Sequence, residues 1–335
     1  MNTYLKHDEW KIIEEGFKPE KHRASESIFS LGNGRMGQRA NFEEEYTGDS
    51  LLGNYIGGIY YPDKTKVGWW KNGYPDFYAK VLNAPNWIGI KIKIDGESLD
   101  LAKCKVENFL RVLNMKEGYL QREFEATLPN DKKVKVKVIR FLSIVHDETG
   151  SIQYEITPLN FSGTIESTFD LNADVINEDA NYEEKFWEEV DKTNSSGNRA
   201  TLTSKTKKLD FHVCLGMDFK IKKNKQFIQP EVETSTSKKY ISKSASFDVE
   251  QNDSIVLYKY ASIISSFNYE KDKLKEVAEK HLDTITNIGF EKLLQEQSEA
   301  WQKKWEDSDI VIKGDIAAQQ GIRFNIFMLN QTYTG

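Results

Sequence analysis

The sequence is short of several things, and each shortage excludes a class of protein. Among 335 residues there are 2 cysteines, too few for a disulfide-stapled secreted scaffold. Cys104 and Cys214 stand apart in alternating or apolar surroundings, so two reduced core thiols are expected. No stretch approaches the roughly 18 consecutive apolar residues of a membrane helix. Asp8 and Glu9 fall where a signal peptide needs an apolar run, so a cytoplasmic protein with no membrane partner is expected. Positive charge is not in excess: 46 Lys and Arg against 52 Asp and Glu leave a net −6, the opposite of what a phosphate-tracking nucleic-acid binder needs. The 5 histidines (His7, His22, His146, His212, His281) show no metal-ligand spacing, so no metal is expected. Neither a G-x-S-x-G elbow nor a Walker loop occurs.

What is present is a large supply of strands. A hydrophobic share of 39% and an aromatic share of 12% are enough for a sizeable core. Ile88, Ile90, Ile92 and Ile94 alternate with Gly89, Lys91 and Lys93, and the turn dipeptide Asp95-Gly96 follows. Leu120, Arg122, Phe124 and Ala126 lead through Pro129-Asn130-Asp131 into Val134, Val136, Val138 and Phe141, a predicted hairpin. Ile152–Ile156, Ile165–Leu171, Phe211–Ile221, Lys239–Val249 and Ser254–Ser265 read as further strands. Charged outer faces and the lack of strand–helix alternation predict antiparallel sheets in a large sandwich, not a doubly wound nucleotide fold. Residues 195–198 and 231–239 read as surface loops.

The pattern changes near Tyr269. Lys271–Leu282 is charged with sparse apolar residues, and Phe290, Leu293, Leu294, Trp301 and Trp305 fall near helical spacing. Ile310–Ile312 reads as a short strand. Asp315 is placed to cap a helix carrying Ile316, Ile322, Ile326, Phe327 and Leu329, apolar around much of its girth as in a buried helix.

Three segments invite a functional reading. Gly32-Asn33-Gly34-Arg35-Met36-Gly37 matches the dinucleotide fingerprint letter for letter, but no strand–helix unit surrounds it, so a tight turn between sandwich strands is expected. Residues 55–78 combine Tyr60, Tyr61, Trp69, Trp70, Tyr74, Phe77 and Tyr78 with glycines and prolines, which reads as a long irregular loop. Aromatic faces there pin the loop down or line a sugar pocket, with Asp63, Lys71, Asn72 and Asp76 as polar neighbours. The acidic run 177–187 contains Glu178, Asp179, Glu183 and Glu184 without the glycine turn of a calcium loop. It reads as a solvated loop ending in the anchor Phe186-Trp187. No catalytic residue can be assigned from these patterns.

Taken together, several segments resemble a known family. They are ESIFSLGNGRMGQRANFEE at 26–44, TGDSLLGNYIGGIYYPD at 47–63, VGWWKNGYP at 67–75, LNAPNW at 82–87, RFLSI at 140–144, NYEEKFW at 181–187 and GDIAAQQGIRFNIFMLNQTYTG at 314–335. They are similar, in order and over nearly the whole chain, to glycoside hydrolase family 65, and within it to the branch that acts on maltose. The resemblance implies a mainly β fold: an antiparallel β-supersandwich over residues 1–268, a helical linker over 269–309, and the first helix of a truncated (α/α)6 barrel over 310–335. It implies an inverting phosphorolysis of an α-glucoside, giving β-glucose 1-phosphate, with inorganic phosphate as co-substrate and no organic cofactor or metal. Trehalose, kojibiose or nigerose are alternative substrates, and hydrolysis is an alternative reaction. The family's acid glutamate and phosphate-binding cluster lie beyond the point matching Gly335, so this chain alone is expected to be inactive. A homodimer is implied. Trp69, Trp70, Lys71, Asn72 and Tyr74 are the candidate substrate-binding residues, with Tyr333 beside them. From a different class, a stand-alone carbohydrate-binding β-sandwich remains the alternative.

Overall fold

The computed structural model describes residues 4–65, 73–178, 184–195 and 197–332. Two antiparallel sheets face each other. The larger one has eleven strands among the described residues and runs in the spatial order Leu5–Lys6, Lys11–Glu15, Lys105–Asn114, Tyr119–Thr127, Lys133–Leu142, Thr149–Pro158, Ile255–Ser265, His212–Lys223, Ala200–Thr206, Trp187–Asn194, with Gln226–Ile228 at its side. The smaller sheet runs Val232–Ser237, Tyr240–Val249, Gly163–Asn172, Ile90–Ile94, Glu97–Ser98. Alternation placed the strands around Ile90–Ile94, Tyr119–Thr127, Lys133–Leu142, Thr149–Pro158, Gly163–Asn172, His212–Lys223, Tyr240–Val249 and Ile255–Ser265. Ile90, Ile92 and Ile94 are buried while Lys91 and Lys93 are exposed. Asp95 and Gly96 both have positive φ (46° and 83°), as a two-residue hairpin turn requires. Val134, Val136 and Val138 pair with Ala126, Phe124 and Arg122 in the expected hairpin. Between the sheets Phe169 stacks on Phe219 at 3.9 Å, an aromatic centre for the core.

The far face of the large sheet is covered by helices. Helix α1 (His22–Ile28) belongs to the amino-terminal end; α2 (Leu274–Ile288) and α3 (Phe290–Ser308) form the covering layer, and α4 (Ile316–Thr332) closes the described chain. Leu282, Ile285, Phe290 and Leu293 bury against Phe141, Tyr258 and Tyr260, and Leu274 and Ala278 against Cys214 and Ile264. This is why the Ile255–Ser265 strand is buried on both faces: it is the middle of three layers. Both cysteines are free thiols, and burial pushes each up to about 11.

Three expectations need correction. Residues 231–239 are not a loop: Val232–Ser237 is an edge strand paired with Tyr240–Val249, its polar Ser and Thr side chains suiting a solvated edge. Ile310–Ile312 is not a strand; its backbone is instead gripped by Gln319, whose Nε2 donates to the Ile310 carbonyl at 2.9 Å and whose Oε1 accepts from the Ile312 N–H at 2.5 Å. Helix α4 departs from the expected helix that is apolar around much of its girth. The face it lays on the sandwich is mostly polar: Gln319, Gln320, Arg323 and Gln331 are buried with Phe327, whereas Leu329 is 70% and Ile316 53% exposed. Arg323 forks onto Asp309 with two 2.8 Å bonds and lies 3.6 Å over the Trp10 ring. Asp315 does cap the helix, accepting from the Ala318 N–H at 2.9 Å.

One buried lysine couples the two sheets. Lys259, fully buried on the central strand, donates from Nζ to the carbonyls of Gly89 (2.8 Å) and Asp170 (2.7 Å). Two acceptors match the two N–H bonds of a neutral amine, and burial pulls the group down to about 7. Its unfolded value is near 10.4, so between these limits the unfolded chain binds more protons. The Lys259 contribution to stability therefore rises with pH from about 7 towards 10, by at most ~1.4 kcal/mol per unit. Urea unfolding of wild type and Lys259→Met across pH 6.5–9.5 checks this: the stability difference should shift in favour of wild type as pH rises, and a flat difference contradicts it.

Candidate functional site

Within the expected irregular loop at 55–78, the described residues include a regular pair of strands. Tyr60–Lys64 pairs with Phe77–Val81 in a two-stranded hairpin, extended by a bond from the Thr65 N–H to the Asp76 carbonyl (2.8 Å). The pairing survives Pro62 because this ribbon stands apart from both large sheets and leaves edges unpaired. Its root is anchored chemically. Tyr61 is buried against Phe186 (4.5 Å between centroids), Lys80 pairs with Asp63 at 2.7 Å, and the Tyr78 hydroxyl donates to Asp63 at 3.2 Å. Asp63 thus helps hold the hairpin. Phe186 and Trp187 are the buried anchors expected of the 177–187 run, with Trp187 Nε1 donating to the Asn83 carbonyl at 2.8 Å. Glu178 and Glu184 are exposed; Asp179 and Glu183 lie outside the described residues.

Trp69, Trp70, Lys71, Asn72 and Tyr333 also lie outside the described residues. Tyr74 is described, on the hairpin's returning side, and is 55% exposed. Val81, at the hairpin root, and Met328, Gln331 and Thr332, at the end of α4, border one cleft of about 480 Å³ together with the Gly32–Gly37 turn.

The glycine run is the turn that was expected. Leu31–Gly32 pairs with Met36–Gln38, and no helix follows. Its glycines allow close approach of backbone, not of a nucleotide. The Gly32 N–H donates to Gln331 Oε1 (2.5 Å) and the Gly34 N–H to the Gln331 carbonyl (2.7 Å). A Cβ on Gly32 would lie 3.2 Å from that carbonyl. Asn33 fixes the turn from beneath: Nδ2 donates to the carbonyls of Ser143 (2.7 Å) and Asp147 (2.9 Å), and Oδ1 accepts from the Arg35 and Met36 N–H groups. The turn is a clasp between the sandwich and the end of α4. Sequence reading had the turn but missed Gln331, which nothing local distinguishes from the other glutamines of α4.

A buried ionic network lies behind this site and was also missed. Arg122 donates to Glu43 (2.6 Å) and with both guanidinium nitrogens to Glu44. Arg140 donates to Glu43 (2.7 Å) and to the Asn41 carbonyl (3.0 Å). Burial alone would raise the Glu43 carboxyl, but Arg140 and Arg122 outweigh it and hold it below its ordinary value. Burial likewise opposes charge on Arg122, and Glu44 and Glu43 reverse that and raise it. Alongside, Glu26 takes bonds from Asn41, Ser50 and the Leu51 N–H, and faces His22 at 3.1 Å. These carboxylates are held by structural partners. Among the described residues no cluster of three metal-ligating side chains occurs.

A solved structure assigned as a kojibiose phosphorylase from the human microbiome superposes with a TM-score of 0.89 at 27% identity, over 99% of this chain and 43% of that one. The chain belongs to glycosyl hydrolase family 65: residues 12–304 match that family's N-terminal domain. It is 39% identical to maltose phosphorylase of Bacillus subtilis (strain 168) over 98% of its own length and 42% of that protein. It is 32% identical to α,α-trehalose phosphorylase of Thermoanaerobacter brockii over 97% of its length and 43% of the relative. The chain therefore spans about two-fifths of the curated relatives it matches.

Proposed function

We propose that the chain is the sandwich-and-linker part of an inverting α-glucoside phosphorylase that acts on maltose with inorganic phosphate and works as a cytoplasmic homodimer without metal or organic cofactor. The observation that carries this is the 39% identity to a maltose phosphorylase along essentially all of this chain. On this reading residues 1–268 are the sandwich, 269–309 the linker and 310–335 the opening of the catalytic barrel. The proton donor and anion site, which supply most of the barrier lowering in such a reaction, come from the part of the relatives' length that this chain does not span. The outward apolar positions of α4, Ile316 and Leu329, then pack on that part. The hairpin carries Trp69, Trp70, Lys71, Asn72 and Tyr74 to the acceptor side of the sugar site, with Tyr333 beside them.

The test uses the polypeptide extended to its relatives' length, assayed with phosphate and maltose, trehalose, kojibiose or nigerose in turn. Maltose should give the highest kcat/KM, and faster turnover of another disaccharide would transfer the assignment to it. In the same protein Trp69→Ala and Trp70→Ala should each raise the KM for maltose, since each removes an aromatic face on which a sugar ring stacks. If kinetics and dimerisation are both unchanged, the hairpin is structural only.

A further inference from the structure

A second cleft, of about 490 Å³, opens on the other side of the glycine turn. Four segments converge on it: Asn33–Met36, Ile56–Gly58, Asp147–Glu148 ahead of the Thr149–Pro158 strand, and Ser265–Asn268 at the end of the central strand. Glu148 forms part of its lining and is 7% exposed. Its Oε2 accepts from the Tyr269 hydroxyl at 2.8 Å, and Asn268 Nδ2 lies 3.5 Å from Oε1. Burial pushes this carboxyl above its ordinary value. Arg35 and Asp147, ion-paired with each other, also line the cleft. Phe267 lines it too, 65% exposed, with part of its ring packed close against Gly58.

The chemistry selects the ligand. The one guanidinium is already neutralised by Asp147 and Glu148 adds a carboxylate, so the cleft has no excess positive charge for a phosphate or nucleotide. A cation would find too few ligating side chains grouped here. What is offered is a flat apolar ring beside a carboxylate, an amide and a hydroxyl. A pyranose matches this with an apolar C–H face and O–H groups that donate and accept. The volume falls in the roughly 300–1,000 Å³ range of small-ligand pockets.

We propose that this cleft binds an uncharged saccharide of one or two pyranose units, with Phe267 as its stacking face and Glu148 as acceptor of its hydroxyl protons. This goes beyond the phosphorylase reading, because it concerns binding by this chain's own residues and requires no turnover.

The experiment titrates glucose, maltose and maltotriose into residues 1–335 and into the extended polypeptide, by calorimetry and saturation-transfer NMR. Saturable binding is expected in both forms. Phe267→Ala and Glu148→Gln should each weaken it at least tenfold, while Phe227→Ala, an exposed aromatic elsewhere, should leave it unchanged. Phe267 is mostly exposed, so its variant folds and decides the matter even if the Glu148 variant does not. The proposal is overturned by the absence of saturable binding, by binding that Phe267→Ala leaves intact, by displacement with inorganic phosphate, or by loss of binding in the extended form. Disaccharide turnover in the extended form, present or absent, is scored separately and tests the other reading.

Discussion

Arg122→Met is expected to lower the stability of this chain by about 3–5 kcal/mol, the cost of breaking a buried ion pair from one side. Arg122 is 3% exposed, lies 4.3 Å over the Phe42 ring and holds both Glu43 and Glu44. Methionine fills much of the same space but leaves two buried carboxylates, of which only Glu43 retains another guanidinium, that of Arg140. The loss is electrostatic, so it should be strongly non-additive. Removing Glu44 as well, in Arg122→Met/Glu44→Met, should recover a large part of the stability, because no charge is then stranded on that side. Urea unfolding followed by circular dichroism measures both. A single-variant cost below about 1 kcal/mol, or a double variant less stable than the single, contradicts the role assigned to the network.

The second large effect concerns the helical layer. Gly118 lies in the turn between the Lys105–Asn114 and Tyr119–Thr127 strands at φ +73°. A Cβ there would fall on the indole of Trp301, which is buried on α3 and packs 4.6 Å from Phe327 of α4. Gly118→Ala therefore combines left-handed backbone strain of about 1–2 kcal/mol with overpacking of about 1–3. Trp301→Ala should cost about 3–5 kcal/mol as a cavity. In the double variant the added methyl enters space the indole has vacated, so its extra cost should fall to the backbone part alone. If the two costs simply add, the turn and the helix are not in the contact described. Gln297 makes that contact tight: its amide donates to the Gly118 and Leu142 carbonyls and accepts from the Ile144 N–H.

The fold was largely legible because two-residue alternation survives wherever one face of a strand is wet, as in Ile90–Ile94 and Lys133–Leu142. It failed at the Val232–Ser237 edge strand, whose Ser and Thr side chains suit a loop equally well. It failed again on α4, where burial follows hydrogen bonding and not hydropathy. The buried charges were partly legible and overlooked: Arg122 falls in the inward series Leu120, Phe124, Ala126, and Arg140 continues Val134, Val136, Val138. An arginine on the inward parity announces a buried carboxylate partner, but not which one, because Glu43 and Glu44 come from a segment roughly eighty to a hundred residues away in sequence. The quoted family segments turn out to supply this scaffold: Glu26, Asn33, Asn41, Glu43, Glu44 and Arg140 all lie within them. Of the candidate sugar contacts, Tyr74 alone falls among the described residues.

The stereochemistry of one reaction tests the proposed phosphorolysis most directly. The polypeptide extended to its relatives' length, and separately residues 1–335, should be incubated with maltose and phosphate while the anomeric protons are followed by NMR. The extended form should release glucose and the β anomer of glucose 1-phosphate, and residues 1–335 should release neither. The α anomer, glucose release without phosphate uptake, or turnover by residues 1–335 alone would contradict it.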